Sequence, residues 1–149
     1  MRIRILKIKA ESEEYIQIGC HEMTDSVKEI VSFVKSRQGQ IIATADGERY
    51  NVPVSDIYYA EAVDNRCFLY CIDQVYETRD KLYMLEEKLG EKRFLRVSKS
   101  VLLNLMKIQS IKPALNGRFM AILSNGEEII ISRKYVPDLK KKLKGGEVS

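Results

Sequence analysis

An antiparallel, mainly β fold of the α+β class, with helices at its flanks, follows from three features of this chain. Asp46-Gly47, Asn116-Gly117 and Asn125-Gly126 each stand between strand-like runs. Such dipeptides favour primed hairpin turns because both residues tolerate positive φ. The runs around them alternate in the strand period or are short and continuously apolar. Only one segment between Gln40 and Ile131, about Lys81 to Leu89, repeats its apolar residues at helical spacing.

The N-terminal part is small. Arg2-Ile3-Arg4-Ile5-Leu6-Lys7-Ile8 alternates as a strand, and Tyr15-Ile16-Gln17-Ile18 is its expected partner. Val27, Ile30, Val31 and Val34 recur at i, i+3, i+4 and i+7. That predicts a helix from about Asp25 to Gln38, capped by Thr24 or Asp25 and ended by Gly39. Together these pieces make a β-β-α extension over residues 1–39, too little for a core of its own. It is expected to pack on the rest of the chain or on a second copy, as a dimerisation or partner-docking element.

A β-rich domain then runs over residues 40–145. Ile41–Ala45 and Arg49–Val52 flank the Asp46-Gly47 turn, and Ile57–Ala62 pairs with a strand Cys67–Tyr76 through a turn at Asp64-Asn65-Arg66. In the Lys81–Leu89 helix, Leu82, Leu85 and Leu89 form the stripe, Asp80 is the expected cap and Gly90 the stop. Near the end, Pro137 argues against one helix beginning at Ser132. A turn at Arg133-Lys134-Tyr135, then a helix to about Lys144 with Pro137 in its first turn, fits better. Residues 146–149 read as a frayed tail.

Composition excludes several classes. A hydrophobic content of 45% and a charged content of 31% describe an ordinary soluble domain. Charge is unevenly placed: 8 Lys and Arg stand against 11 Asp and Glu from Met1 to Asn65, and 17 against 10 from Arg66 to Ser149. The basic half points to a polyanion, although Lys140, Lys141, Lys142 and Lys144 also suit a helix C-terminus. Cys20, Cys67 and Cys71, with a single His and no Cys-x-x-Cys, give neither a disulfide framework nor a zinc template. They read as plain thiols in a reducing cytoplasm. No run is long enough to span a membrane, and the N-terminus has no signal-peptide core. His21 adjoins Cys20, but neighbouring side chains in an extended segment point apart. There is no Gly-x-x-x-x-Gly-Lys or Gly-x-Gly-x-x-Gly loop. No enzymatic activity, cofactor, metal or small-molecule substrate is therefore expected.

The chemistry is concentrated in Phe94-Leu95-Arg96-Val97-Ser98-Lys99-Ser100-Val101-Leu102-Leu103-Asn104, which sets two cations and hydroxyls among strand residues. Unpaired cations are costly to bury, so Arg96 and Lys99 are expected to reach a surface or an anion. Ser132-Arg133-Lys134-Tyr135-Val136 ends an apolar strand in two more cations. The pattern Phe94-x-Arg96-x-Ser98-Lys99-Ser100, with Asn104 four residues on, resembles the LytTR DNA-binding domain of bacterial transcription regulators. Asp56-Ile57-Tyr58-Tyr59-Ala60-Glu61-Ala62 and Ser132–Val136 match in the same order, and the resemblance covers about Gln40 to Lys144.

The resemblance implies an elongated stack of short antiparallel sheets whose loops enter successive major grooves of double-stranded promoter repeats, usually as a dimer. It places DNA contacts at Lys99, at Lys134 where the family usually has Arg, and near Cys67 in the loop Val63–Cys67. Cysteine is a poor reader of DNA, so Arg66 and Asn65 are the better candidates there. Ser98 stands where many members have His. Arg133 lies beside Lys134, and Arg96 is either a contact or an internal brace paired with Glu61 or Glu86. Some thirty-nine residues ahead of the domain are too few for a receiver, which implies a stand-alone regulator; some such relatives are controlled by a membrane protein. Two other readings stay open. One is a single-stranded RNA-binding β module, stacking bases on Tyr58, Tyr59, Phe68, Tyr70 or Tyr76, although such residues are more often core or cross-strand pairs. The other is a protein-interaction adaptor that has lost DNA binding.

Overall fold

The computed structural model describes residues 1–12, 14–37, 39–90 and 93–145. Helix α1 spans Asp25–Arg37. Its start is held by Thr24, whose Oγ1 accepts the Val27 amide at 3.3 Å. Gly39, at φ +103°, lets the chain turn into the first strand. Gln38, the expected last helical residue, lies outside the described residues, as does the tail 146–149.

Ten strands follow. β1 (Gln40–Ala45) and β2 (Glu48–Pro53) form the first hairpin, in register Ala45 to Glu48 around Asp46-Gly47. β3 (Ile57–Val63), β4 (Arg66–Cys71) and β5 (Val75–Thr78) form a meander, and α2 (Leu82–Leu89) leads to β6 (Phe94–Arg96) and β7 (Val101–Asn104). These strands make one seven-stranded antiparallel sheet in the order β2-β1-β5-β4-β3-β7-β6. β8 (Ile108–Pro113), β9 (Phe119–Leu123) and β10 (Glu128–Ile131) make a second sheet of three strands. A 3-10 turn at Arg133–Tyr135 then opens α3 (Val136–Gly145), the arrangement that Pro137 demands.

The two sheets bury two apolar clusters. Ile41, Val52, Ile57, Ala60, Leu69, Phe94 and Leu102 pack with the α2 stripe of Leu82, Leu85 and Leu89. Tyr58, Tyr59, Val97, Leu103 and Leu105 pack with Ala121, Leu123, Ile131, Val136 and Leu139 of the second sheet and α3. β3 and β7 contribute to both clusters, because successive strand residues face opposite ways. A register shift between Ile57 and Tyr59 marks where β3 changes faces. The strand tyrosines form cross-strand and edge pairs: Tyr59 stacks on Tyr70 at 4.4 Å, and Tyr50 meets Tyr76 edge-on at 5.3 Å.

Three expectations need correction. Residues 2–8 and 15–18 form no strand; two isolated strands with nothing to cover their apolar face gain too little to close a ladder. Among the described residues there, a turn is present, with the Ser12 amide donating to Lys9 O at 3.0 Å. The run Cys67–Tyr76 is two strands, folded back where the Cys71 amide donates to Gln74 O at 3.0 Å. Asp80 does not cap α2: its carboxylate takes Lys88 Nζ at 2.8 Å, and the N-cap position falls to Lys81.

Candidate nucleic-acid interface

Three turn segments carry the basic residues, and main-chain hydrogen bonds tie them together. The first is the β3–β4 hairpin, with Asp64 and Asn65 at φ 50° and 65° between the paired residues Val63 and Arg66. That is a primed turn. The second is the connection from β6 to β7, residues 97–100. Its Ser100 O accepts the Ala62 amide of β3 at 2.8 Å. The third is the 3-10 turn before α3, where the Ser132 amide donates to Val97 O at 2.8 Å. The middle segment is thus fastened to the hairpin on one side and to the 3-10 turn on the other.

The hairpin tip is exposed, but its cations have partners. Arg66 donates to Glu77 through Nε at 3.0 Å and Nη2 at 2.6 Å, and its guanidinium lies 5.2 Å from the centre of the Phe68 ring. Arg66 and Phe68 share a strand face, and Glu77 lies opposite Phe68, so the pair is a diagonal one. The Arg66 hydrogen bond holds the Glu77 carboxyl below its ordinary range. Asn65 offers its side chain outward while its carbonyl accepts Lys81 Nζ at 3.3 Å. Lys81 and Glu77 had no local sequence signal; only the folding back of β5 and α2 beside the tip brings them there.

Cys67 does not belong to this surface. It is 3% exposed and lies in the cluster under α2. Strand alternation explains this, since Arg66 and Phe68 take the outer face and Cys67 must point inward. Burial pushes its thiol up to about 11, and that of Cys71 to about 12.

In the middle segment, Arg96 is a brace. Its Nε donates to Ser98 O at 3.0 Å, its Nη2 to Lys99 O at 2.6 Å, and its Nη1 to Glu86 Oε1 of α2 at 2.9 Å. The planar fork suits two successive carbonyls and a carboxylate at once. Of the two partners expected for it, Glu86 is the one it meets. The Ser98 hydroxyl oxygen accepts the Ser100 amide at 3.2 Å, closing the turn locally. Lys99 is exposed at the apex, with no side-chain partner among the described residues. Asn104 anchors the far end of β7: buried, it donates through Nδ2 to Ile57 O at 2.8 Å and accepts the Met106 amide at 3.0 Å.

In the third segment Arg133 and Lys134 are both exposed. Lys134 Nζ sits 5.6 Å from the centre of the Tyr135 ring. The stem of Arg133 lies over Gly117, where an added Cβ would meet Arg133 Cδ at 3.0 Å, so the β8–β9 connection supports it. Among the described residues, no group of three His, Cys, Asp or Glu side chains is placed to hold a metal.

A sequence profile of the LytTr DNA-binding domain matches residues 47–144. The chain belongs to the LytTR family. LytTR domains are non-catalytic DNA-binding modules of transcription regulators. The sensory transduction protein LytT of Enterococcus faecalis is 30% identical over 130 residues, covering 87% of this chain and 54% of that protein. LytT of Bacillus subtilis is 29% identical over 133 residues, covering 89% and 48%. The chain therefore spans about half the length of these LytT relatives. An HTH-type transcriptional regulator of Staphylococcus aureus aligns over 145 residues at 26% identity, covering 96% of this chain and 98% of the regulator. Among solved structures, the LytTr DNA-binding domain of a methyl-accepting/DNA response regulator from Bacillus cereus shares the fold, with a TM-score of 0.67 at 24% identity over 70% of this chain and 96% of that one.

Proposed function

We propose that this LytTR chain is a cytoplasmic transcription regulator that binds promoter repeats as double-stranded DNA, with two copies acting together. The observation that supports this most is the fastening of three basic turn segments by main-chain bonds at Ala62–Ser100 and Val97–Ser132. A rigid set of short loops can enter a major groove without a recognition helix, provided their spacing is fixed. In this reading Lys99 and Lys134 are the principal contacts, because each is an exposed cation with no carboxylate on it. Lys is able to reach the guanine O6 and N7 acceptors. Asn65, Arg66 and Arg133 flank them as phosphate or base contacts, and Ser98 keeps its hydroxyl proton free to donate. Arg96 acts behind Lys99 and Cys67 takes no part.

Fluorescence anisotropy with a labelled duplex from the gene's own upstream region, against a scrambled duplex, tests the proposal. The expected result is sequence-selective binding whose log K falls with log salt at about 0.9 per phosphate neutralised. Equal, weak binding to both duplexes would count against it.

A further inference from the structure

The N-terminal residues separate charge in a way the rest of the fold does not use. Residues 2–9 carry Arg2, Arg4, Lys7 and Lys9 and no acid, whereas residues 11–25 carry Glu11, Glu13, Glu14, Glu22 and Asp25 and no Lys or Arg. The two arms meet at the closed turn between Lys9 and Ser12. The first alternates in the strand period and Tyr15–Ile18 of the second is its expected partner, yet among the described residues 1–24 no ladder forms. Their apolar side chains are left in solvent: Ile3 is 87% and Ile5 92% exposed, and Leu6, Tyr15 and Ile16 are exposed as well. An amphipathic strand with a bare apolar face and unpaired main-chain groups is a template for pairing with another strand.

We infer that the arms of two copies of this chain pair reciprocally, the basic arm 2–9 of each lying antiparallel along the acidic arm that follows residue 10 of the other. The sequence itself carries both complementary halves, as a twofold self-association requires, since residue i of one copy must meet residue j of the other and the reverse. Opposite charges facing across strands favour this register and like charges oppose the alternatives. This inference deepens the proposal that two copies act together and does not depend on which DNA sequence they bind.

Sedimentation velocity on the full chain without DNA tests it through a charge exchange. One variant carries Arg2→Glu, Arg4→Glu, Lys7→Glu and Lys9→Glu; the other carries Glu11→Lys, Glu13→Lys and Glu14→Lys. The expected result is a dimer for the unaltered chain at micromolar concentration, monomers for each variant alone, and a dimer regained in their equimolar mixture. A monomeric unaltered chain would overturn the inference. So would variants that stay dimeric alone, or a mixture that stays monomeric while both variants keep the far-UV circular dichroism of the parent. Anisotropy on a duplex holding one half-site reads the other proposal separately: arm variants are expected to bind it like the parent, and a parent that ignores sequence would count against DNA recognition alone.

Discussion

Lys99 and Asn104 stand five residues apart in one motif and do opposite work. Lys99 is exposed on a braced turn, so Lys99→Ala is expected to leave urea unfolding unchanged and weaken binding to the specific duplex by about 1–3 kcal/mol if the contact is to a base edge. Lys134→Ala is expected to act likewise, and a uniform loss on all sequences in anisotropy would assign either residue to phosphate. Asn104→Ala reverses the pattern. It removes the buried donor to Ile57 O and the acceptor of the part-buried Met106 amide, which costs about 1–3 kcal/mol of stability in urea denaturation. Lys99, Lys134 and Asn104 each sit in a sequence motif, and the structure exposes the two lysines and buries the Asn. The resemblance put a contact near Cys67, but it takes no account of strand alternation, and Arg66 and Phe68 on the outer face force Cys67 inward. Arg96 could not be settled from local sequence, since its partner Glu86 comes from a helix whose docking depends on long-range packing.

Among elements, α2 matters beyond its apolar stripe. Through Glu86 it orients the guanidinium that holds the carbonyls of Ser98 and Lys99. Glu86→Ala is expected to lower stability by only about 0.2–1 kcal/mol, as for a partly exposed ion pair, while reducing affinity for the specific duplex. Arg96→Lys is expected to reduce that affinity further, because an ammonium cannot serve both carbonyls and the carboxylate. The salt slope discriminates: a positioning role leaves it unchanged, whereas a lost phosphate contact lowers it by about one. Helices and hairpins with strong punctuation, at Gly39, Asp46-Gly47 and Pro137, were legible in order and nearly in extent. The strand Cys67–Tyr76 was read as one because Ile72-Asp73-Gln74 lacks a turn dipeptide. The arms at 2–8 and 15–18 have strand periodicity, but periodicity supplies no partner, and the isolated chain provides none.

At the level of the molecule, burial of thiols and phenols sets a pH limit. Cys67 and Cys71 are held protonated in the fold up to about 11 and about 12, above their ordinary value of 9.0. Burial likewise pushes Tyr59 up. The unfolded chain ionises these groups first, so their contribution to stability is complete below pH 9.0 and is lost as pH rises through the folded values. Urea midpoints are expected to fall between about pH 9 and about pH 11, and Cys67→Ala is expected to lessen the fall.

The division of the interior into two clusters has a consequence for how such a protein diverges. The hairpin tip grows from β3 and β4, which reach both clusters, the 3-10 turn leads into a helix rooted in the second, and β3 and β7 form the wall between them. Repacking that wall would shift one basic segment against the other without altering any residue at the surface. Under the proposed function, the interior would set the spacing of the basic segments, and a repacked wall is expected to change the DNA repeat spacing the protein prefers.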